Sequence, residues 1–229
     1  MLDLSPTESQ AFLLSLRVAG LAVAVGLPVA LATAWLLARR SFPGQTIVNG
    51  LVHLPMVLPP VVVGYLLLLL FGRNGPVGAW LDAALGITIA FTWQGAALAA
   101  GVMAFPLMVR AIRLSLEAVD GRLEVAARGL GARRLDVFAT ITLPMTAPGV
   151  TTAAILGFAR SLGEFGATVT FVSNIPGETR TLPLAIYTLI QQPDGETGAL
   201  RLMGLSVALS LLALAGSEIL VRRLRATAA

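Results

Sequence analysis

The chain has 229 residues, of which 56% are apolar and only 12% charged, with a mean hydropathy of +0.85. A soluble globular domain carries about a quarter charged residues, so composition excludes one and leaves no length for a separate soluble domain. The net charge of +4 rests on sixteen basic residues, all arginine, set at the ends of apolar runs; that placement signals membrane topology rather than a nucleic-acid surface, and the absence of cysteine excludes disulfide, thiolate and iron–sulfur chemistry.

Five membrane spans are predicted in chain order, each from an apolar run of about 20 residues. The first covers residues 18–38 and carries no charge. Asp3 and Glu8 lead into it, so a cleavable secretory signal is not expected. The second covers 51–71 and contains Pro55, Pro59 and Pro60. The third covers 83–109, with Ala96, Ala100 and Ala104 four apart. Gly20 and Ala24 repeat that spacing on the first span, and small faces let helices approach closely in lipid. A polar loop follows at about 117–136. The fourth span covers 137–159 with Pro144 and Pro148, and the fifth covers 202–221 with Glu218 near its end. A weaker apolar piece, 181–193, is too short to cross, because about 13 helical residues reach only about 20 Å. No internal repeat is evident.

Arginine placement sets the orientation. Arg39 and Arg40 follow span one. Arg110, Arg113, Arg122, Arg128, Arg133 and Arg134 lie between spans three and four, and Arg222, Arg223 and Arg225 follow span five. Five spans bring these 11 to one side and leave Arg17, Arg73, Arg160, Arg180 and Arg201 on the other. The excess marks the cytoplasmic side, which puts the N-terminus outside and the C-terminus in the cytoplasm.

The stretch from Glu124 to Pro144 stands out as polar among apolar runs. Leu123, Ala127 and Leu130 fall at i, i+4 and i+7, one face of a short helix. Gly131 then closes it, as glycine commonly does at a helix C-terminus. By its residues alone the piece is a short amphipathic helix, either lying on headgroups or serving as a docking surface. Its spacing shifts the balance toward docking. Ala126-Ala127, three residues, Gly131, nine residues, then Ile141-x-Leu143-Pro144 resembles the EAA loop of binding-protein-dependent ABC importer permeases. In that family the loop forms a coupling helix seated in a groove of the ATPase subunit. The family's glutamate position holds Val125 here, and Glu124 lies one place earlier.

The resemblance extends over nearly the whole chain. Ser41-Phe42-Pro43-Gly44, His53-Leu54-Pro55, the run from Leu58 to Tyr65, and Phe105 to Arg110 are similar to the molybdate branch of the family. So are Phe158 to Ala167 and Phe171 to Thr181, and sulfate permeases share the shorter pieces. The resemblance implies an all-α integral membrane protein with the type I ABC importer permease fold, a single domain over residues 1–229. It implies a molybdate importer subunit in the bacterial inner membrane, with sulfate, tungstate or another oxyanion as the alternative cargo. The implied partners are a second copy of the chain, two cytoplasmic ATPase subunits and a periplasmic molybdate-binding protein. ATP and magnesium would be used on the ATPase, and no cofactor, catalytic residue or metal is expected on this chain. No G-x-x-x-x-G-K-[ST] run is present to bind nucleotide. The implied ATPase-coupling residues are Glu124, Ala126, Ala127, Gly131, Ile141, Leu143 and Pro144.

At the outer end of span four, Arg160 and Glu164 are four apart and face each other on a continuous helix. They read as a clasp on the pathway or a contact for the binding protein, or as a plain helix-end ion pair. Glu178 and Arg180 belong to an exposed outer surface, a second candidate for binding-protein contact. His53 is a lone histidine near a helix end and reads as packed or interfacial. Thr140, Thr142, Thr146, Thr151 and Thr152 either line a polar path or bond their own helix backbone. An intramembrane enzyme or secondary transporter is disfavoured by the coupling-loop spacing and by the lack of acid or histidine pairs within spans.

Overall fold

The structure is a computed structural model that describes residues 4–227. Every regular element among the described residues is helical. α1 (Pro6–Arg39) begins where Ser5 and Glu8 cap each other: Glu8 N donates to Ser5 Oγ at 3.2 Å and Ser5 N donates to Glu8 Oε2 at 2.7 Å. This reciprocal box, with proline at the first helical position, starts the helix about three turns before the apolar run does.

Residues 51–71 do not form one straight span. They fall in α2 (Gln45–Val57) and α3 (Pro60–Phe71), which meet at 116°. The cause is the Pro59-Pro60 pair: a residue before proline is pushed out of the helical region, and Pro59 sits at φ −54, ψ 135. The bent pair still runs from one end of the bundle to the other. Arg113, near the end of α5, reaches Asn49 in α2 at 3.1 Å, and Phe71 at the end of α3 meets Phe171 edge-on at 6.5 Å.

α4 (Pro76–Leu85) stops at Gly86 with φ +65, and an extended segment leads to α5 (Trp93–Glu117). The run 83–109 is therefore divided between these two helices. Thr92 caps α5 by accepting from Gly95 N at 3.2 Å. α6 (Gly121–Gly129) follows in the polar loop. α7 (Arg134–Val137), a π-helical turn (Phe138–Thr142) and α8 (Leu143–Leu162) then form one continuous helical rod. α9 (Gly166–Val172) and α10 (Leu182–Ile190) are short, and α11 (Glu196–Thr227) closes the chain. The side chains of Glu218, Arg222, Arg223 and Arg225 lie outside the described residues. Among the described residues four helical stretches are long and apolar enough to cross a membrane, or five when the bent α2–α3 pair is counted as one span. α10, with nine residues, is not among them.

α5 is the central helix. It packs most extensively against α8 and α1. Its Ala96, Ala100 and Ala104 are fully buried. On α1 the inward stripe is Ala19, Ala22, Ala30 and Ala34, whereas Gly20 and Ala24 face out. The small-residue contact is real but lies on a different face of α1 from the one the Gly20–Ala24 spacing suggests. Large apolar side chains cover the outside, with Val57 80% and Leu212 70% exposed, a surface suited to lipid rather than water.

A long-range ion pair pins the end of the bundle at which α1 begins. Glu8, 5% exposed, pairs with Arg201 of α11 at 3.0 Å. Beside it, Leu182 N donates to Ser15 Oγ at 2.7 Å, joining α10 to α1. Removing one partner of a buried pair costs about 3–5 kcal/mol, and the half-exposed arginine lowers that to about 1–2 kcal/mol here. Arg201→Ala is expected to lower the thermal unfolding midpoint in detergent. Gln at position 8 in the same background should recover part of the loss by removing the stranded charge.

Candidate functional site

The candidate site is the polar loop and the rod it leads into. Asp120 starts α6 by accepting from Arg122 N at 2.9 Å. That backbone N–H, together with the Arg122 guanidinium, holds the Asp120 carboxyl below the usual carboxylate range. The other end of α6 closes in a Schellman turn: Ala132 N donates to Ala127 O at 3.1 Å and Gly131 N donates to Arg128 O at 3.0 Å. Gly131 takes φ +92 to do this. A Cβ at Gly131 would meet nothing within 4 Å, so the glycine is required by backbone conformation and not by crowding.

The surface of α6 is open. Leu130 is 90% exposed and Leu135 80%, with Leu123, Val125 and Ala126 also exposed and Ala127 half-buried. The apolar face is thus not packed against the rest of the chain. The N-terminal side of the loop borders an open cleft of about 720 Å³ whose lining includes Trp35, Arg39, Arg40, Arg128 and Arg134.

Glu124 is directed toward α1 and the rod, on the wall of that same cleft. Its Oε1 lies 3.0 Å from Arg39 Nη2 at the end of α1 and accepts from Thr142 Oγ1 at 2.8 Å. The Arg39 contact is a close ion pair without hydrogen-bond alignment. Val125, in the position where the resemblance expects glutamate, is 61% exposed. Adjacent helical residues differ by about 100°, so the one-place shift turns the carboxylate from the direction of the Val125 side chain toward Arg39 and Thr142.

Ile141 and Leu143 are half-buried and Pro144 is exposed, at the join of the π-helical turn and α8. Leu143 N donates to Phe138 O, the wide i−5 pattern, immediately before a proline that has no N–H to donate. Thr142 is buried within this turn. Arg39 and Thr142 are functional candidates that spacing alone does not join to Glu124. Arg39 reads in the sequence only as a topology signal, and Thr142 as one threonine of several. Thr140, Thr146 and Thr152 instead donate to the backbone carbonyls of Asp136, Thr142 and Pro148 on their own rod. His53 Nδ1 likewise lies 2.9 Å from Asn49 O, one turn back on α2.

At the opposite end, Arg160 Nη1 pairs with Glu164 Oε2 at 2.6 Å, with the glutamate side chain 2% exposed. The other Glu164 oxygen accepts from Ala167 N at 2.9 Å, so the pair locks α8 to the start of α9. Glu178 Oε1 accepts from Trp93 N at 3.3 Å at the start of α5, and the Arg17 guanidinium stacks 3.9 Å over the Trp93 ring. Arg180 Nε donates to Asn174 Oδ1 at 2.9 Å. The structure thus places Glu178 and Arg180 at the same end as Arg160 and Glu164 but in separate contacts. A double reversal, Arg160→Glu with Glu164→Arg, is expected to reduce transport at least about tenfold if the pair contacts cargo or a partner. Unchanged uptake would leave it as a helix-joining ion pair alone.

The described residues form a helical bundle with membrane-length rods and an uncovered helix in its polar loop. The chain belongs to the family described as the binding-protein-dependent transport system inner membrane component, whose model matches residues 26–226. It is 61% identical over 219 residues to the molybdenum transport system permease protein ModB of Escherichia coli K12, covering 96% of both chains. The ModB protein of Haemophilus influenzae is 54% identical over 95% of both. The sulfate transport system permease protein CysT of Escherichia coli K12 is 39% identical over 70% of this chain and 58% of that one. Among solved structures, a bacterial alginate ABC transporter in complex with an alginate pentasaccharide-bound periplasmic protein matches with TM-score 0.75 and 18% identity. That match covers 96% of this chain and 80% of the other. An inward-facing MetNI methionine ABC transporter matches with TM-score 0.68 and 17% identity, over 95% and 94%. The fold is that of a type I ABC importer permease.

Proposed function

We propose that this chain is the transmembrane subunit of an ATP-driven molybdate importer in the bacterial inner membrane. Two copies form the oxyanion pathway, two ATPase subunits dock on the cytoplasmic side, and a periplasmic molybdate-binding protein delivers the cargo. The observation that carries the cargo is the 61% identity to a molybdenum permease across 96% of both chains, against 39% over a shorter stretch for a sulfate permease. The open face of α6 supports the coupling role. A helix exposing Leu123, Val125 and Leu130 beside a rigid glycine turn suits a groove on another protein.

The orientation follows from charge. The end of the bundle holding Arg39, Arg40, Arg113 and α6 is the arginine-rich one, and it faces the cytoplasm. The end holding Glu8, Trp93, Glu178 and Arg201 then faces outward and meets the binding protein. ATP binding closes the ATPases, shifts α6 and turns the pathway outward, and hydrolysis resets it. The nucleotide and its magnesium stay on the ATPase.

The test is uptake into proteoliposomes holding the chain, its cognate ATPase and the binding protein. Labelled molybdate should accumulate only with ATP inside, and a hundredfold excess of sulfate should leave most of that uptake. Uptake without ATP would refute the ABC reading. Equal competition by sulfate would move the cargo to the wider oxyanion class.

A further inference from the structure

We propose that Glu124 is a positioning residue that couples α6 to the transmembrane rod from within the permease, and not an anchor to the ATPase. This rests on the coupling reading of α6 above. The geometry is a three-way junction. One carboxylate oxygen, Glu124 Oε1, is shared by Arg39 Nη2 of α1 at 3.0 Å and Thr142 Oγ1 of the π-helical turn at 2.8 Å. Both side chains of the ion pair are mostly shielded, at 22% and 19% exposure, so the contact is not a solvated surface pair. Thr142 is 2% exposed. The carboxylate is therefore engaged by partners within the permease, at the wall of the cleft that Glu124, Val125 and Arg39 line together.

The position of Thr142 gives the junction its leverage. The residue ends the π-helical turn, immediately before Leu143 and Pro144 open α8. A π turn inside an α-helical rod is a local widening of a kind found mostly at functional positions. Pro144 supplies no N–H, so the rod carries one fewer backbone bond at this point. A displacement of α6 is then delivered through this side-chain link to the π-helical turn of the α7–α8 rod. Arg39 holds the same carboxylate against the end of α1, so α1 is the fixed point about which α6 and the rod move. Without the link, α6 hangs from α5 and α7 only by its connecting turns, and its motion is absorbed there.

The experiment separates linkage from docking. Glu124→Gln, Arg39→Ala and Thr142→Val are each reconstituted with the cognate ATPase and binding protein. Three quantities are measured: ATPase co-purification, ATP hydrolysis stimulated by loaded binding protein, and molybdate taken up per ATP. The expected result is ATPase bound at the wild-type ratio in all three, with stimulation and uptake per ATP reduced about fivefold or more. The charge swap Arg39→Glu with Glu124→Arg rebuilds the pair with opposite polarity. It is expected to recover at least half of the stimulation, which a general loss of stability would not allow. Wild-type stimulation in all three single variants would overturn the proposal. Loss of ATPase binding in Glu124→Gln would overturn it too, because the carboxylate would then be a docking anchor. A wild-type chain that never binds the ATPase would instead bring down the coupling reading itself.

Discussion

Gly131→Arg is expected to abolish ATP-driven uptake while the chain still accumulates in the membrane at its normal level. The argument starts from the backbone. Gly131 holds φ +92, and the Schellman turn that closes α6 depends on it. An L-residue pays about 1–2 kcal/mol in the left-handed region, and φ +92 lies beyond the well that side-chain-bearing residues occupy there. The turn would relax, and with it the relative placement of α6 and α7. The new side chain would also project from an exposed position with no neighbour within 4 Å, adding bulk and charge to the surface a partner must cover. No core contact is lost, so membrane insertion should be unaffected. The checks are membrane abundance, ATPase co-purification and uptake. Gly131→Asn, a residue that tolerates the left-handed region, is expected to lose far less. Normal uptake in Gly131→Arg would remove the docking role from this loop.

Gly64→Leu is expected to damage the fold itself severely. Gly64 sits where α3 crosses α9. A Cβ there would lie 2.5 Å from Ala167 O, 2.9 Å from Ala167 Cα and 2.9 Å from Thr170 Cβ. Two of those atoms are backbone and cannot turn aside. Overpacking a core costs about 1–3 kcal/mol when side chains can adjust, and more when helices must separate. Separation here would disturb the carboxylate of Glu164, which caps α9 through Ala167 N. The expected outcome is a severe loss of folded protein from the membrane and a lowered unfolding midpoint in detergent. Val62→Ala, on an exposed part of the same helix, should leave both near wild type. Wild-type abundance of Gly64→Leu would mean that α3 and α9 are not held at this spacing.

Much of the fold is legible in the sequence because membrane segments are written locally. Apolar length marks α1, α8 and α11, and arginines mark the ends. The break between α2 and α3 is legible only in part. Pro59 and Pro60 announce a disturbance, but its size, 116°, depends on α3 turning to pack along α9. The division of 83–109 between α4 and α5 is less visible, because the extended segment after Gly86 remains apolar enough to read as membrane. Spacing also fails to identify which small face of α1 is used. Gly20–Ala24 and Ala30–Ala34 look alike in sequence, and only contact with α5 and α8 distinguishes them.

The sequence by itself determined that this is a membrane chain, that its arginines gather at one end, and that residues 126–144 carry a loop motif with a glycine at its turn. Each of these is a property of composition or short spacing, where the physics acts between near neighbours. The tertiary structure decided where the acidic residues point. Glu8 meets Arg201 across 193 positions, and Glu124 of α6 meets Arg39 at the end of α1. Such pairings arise from helices packing side by side. Helix rotation and crossing set them, and the pattern along any single helix does not record either.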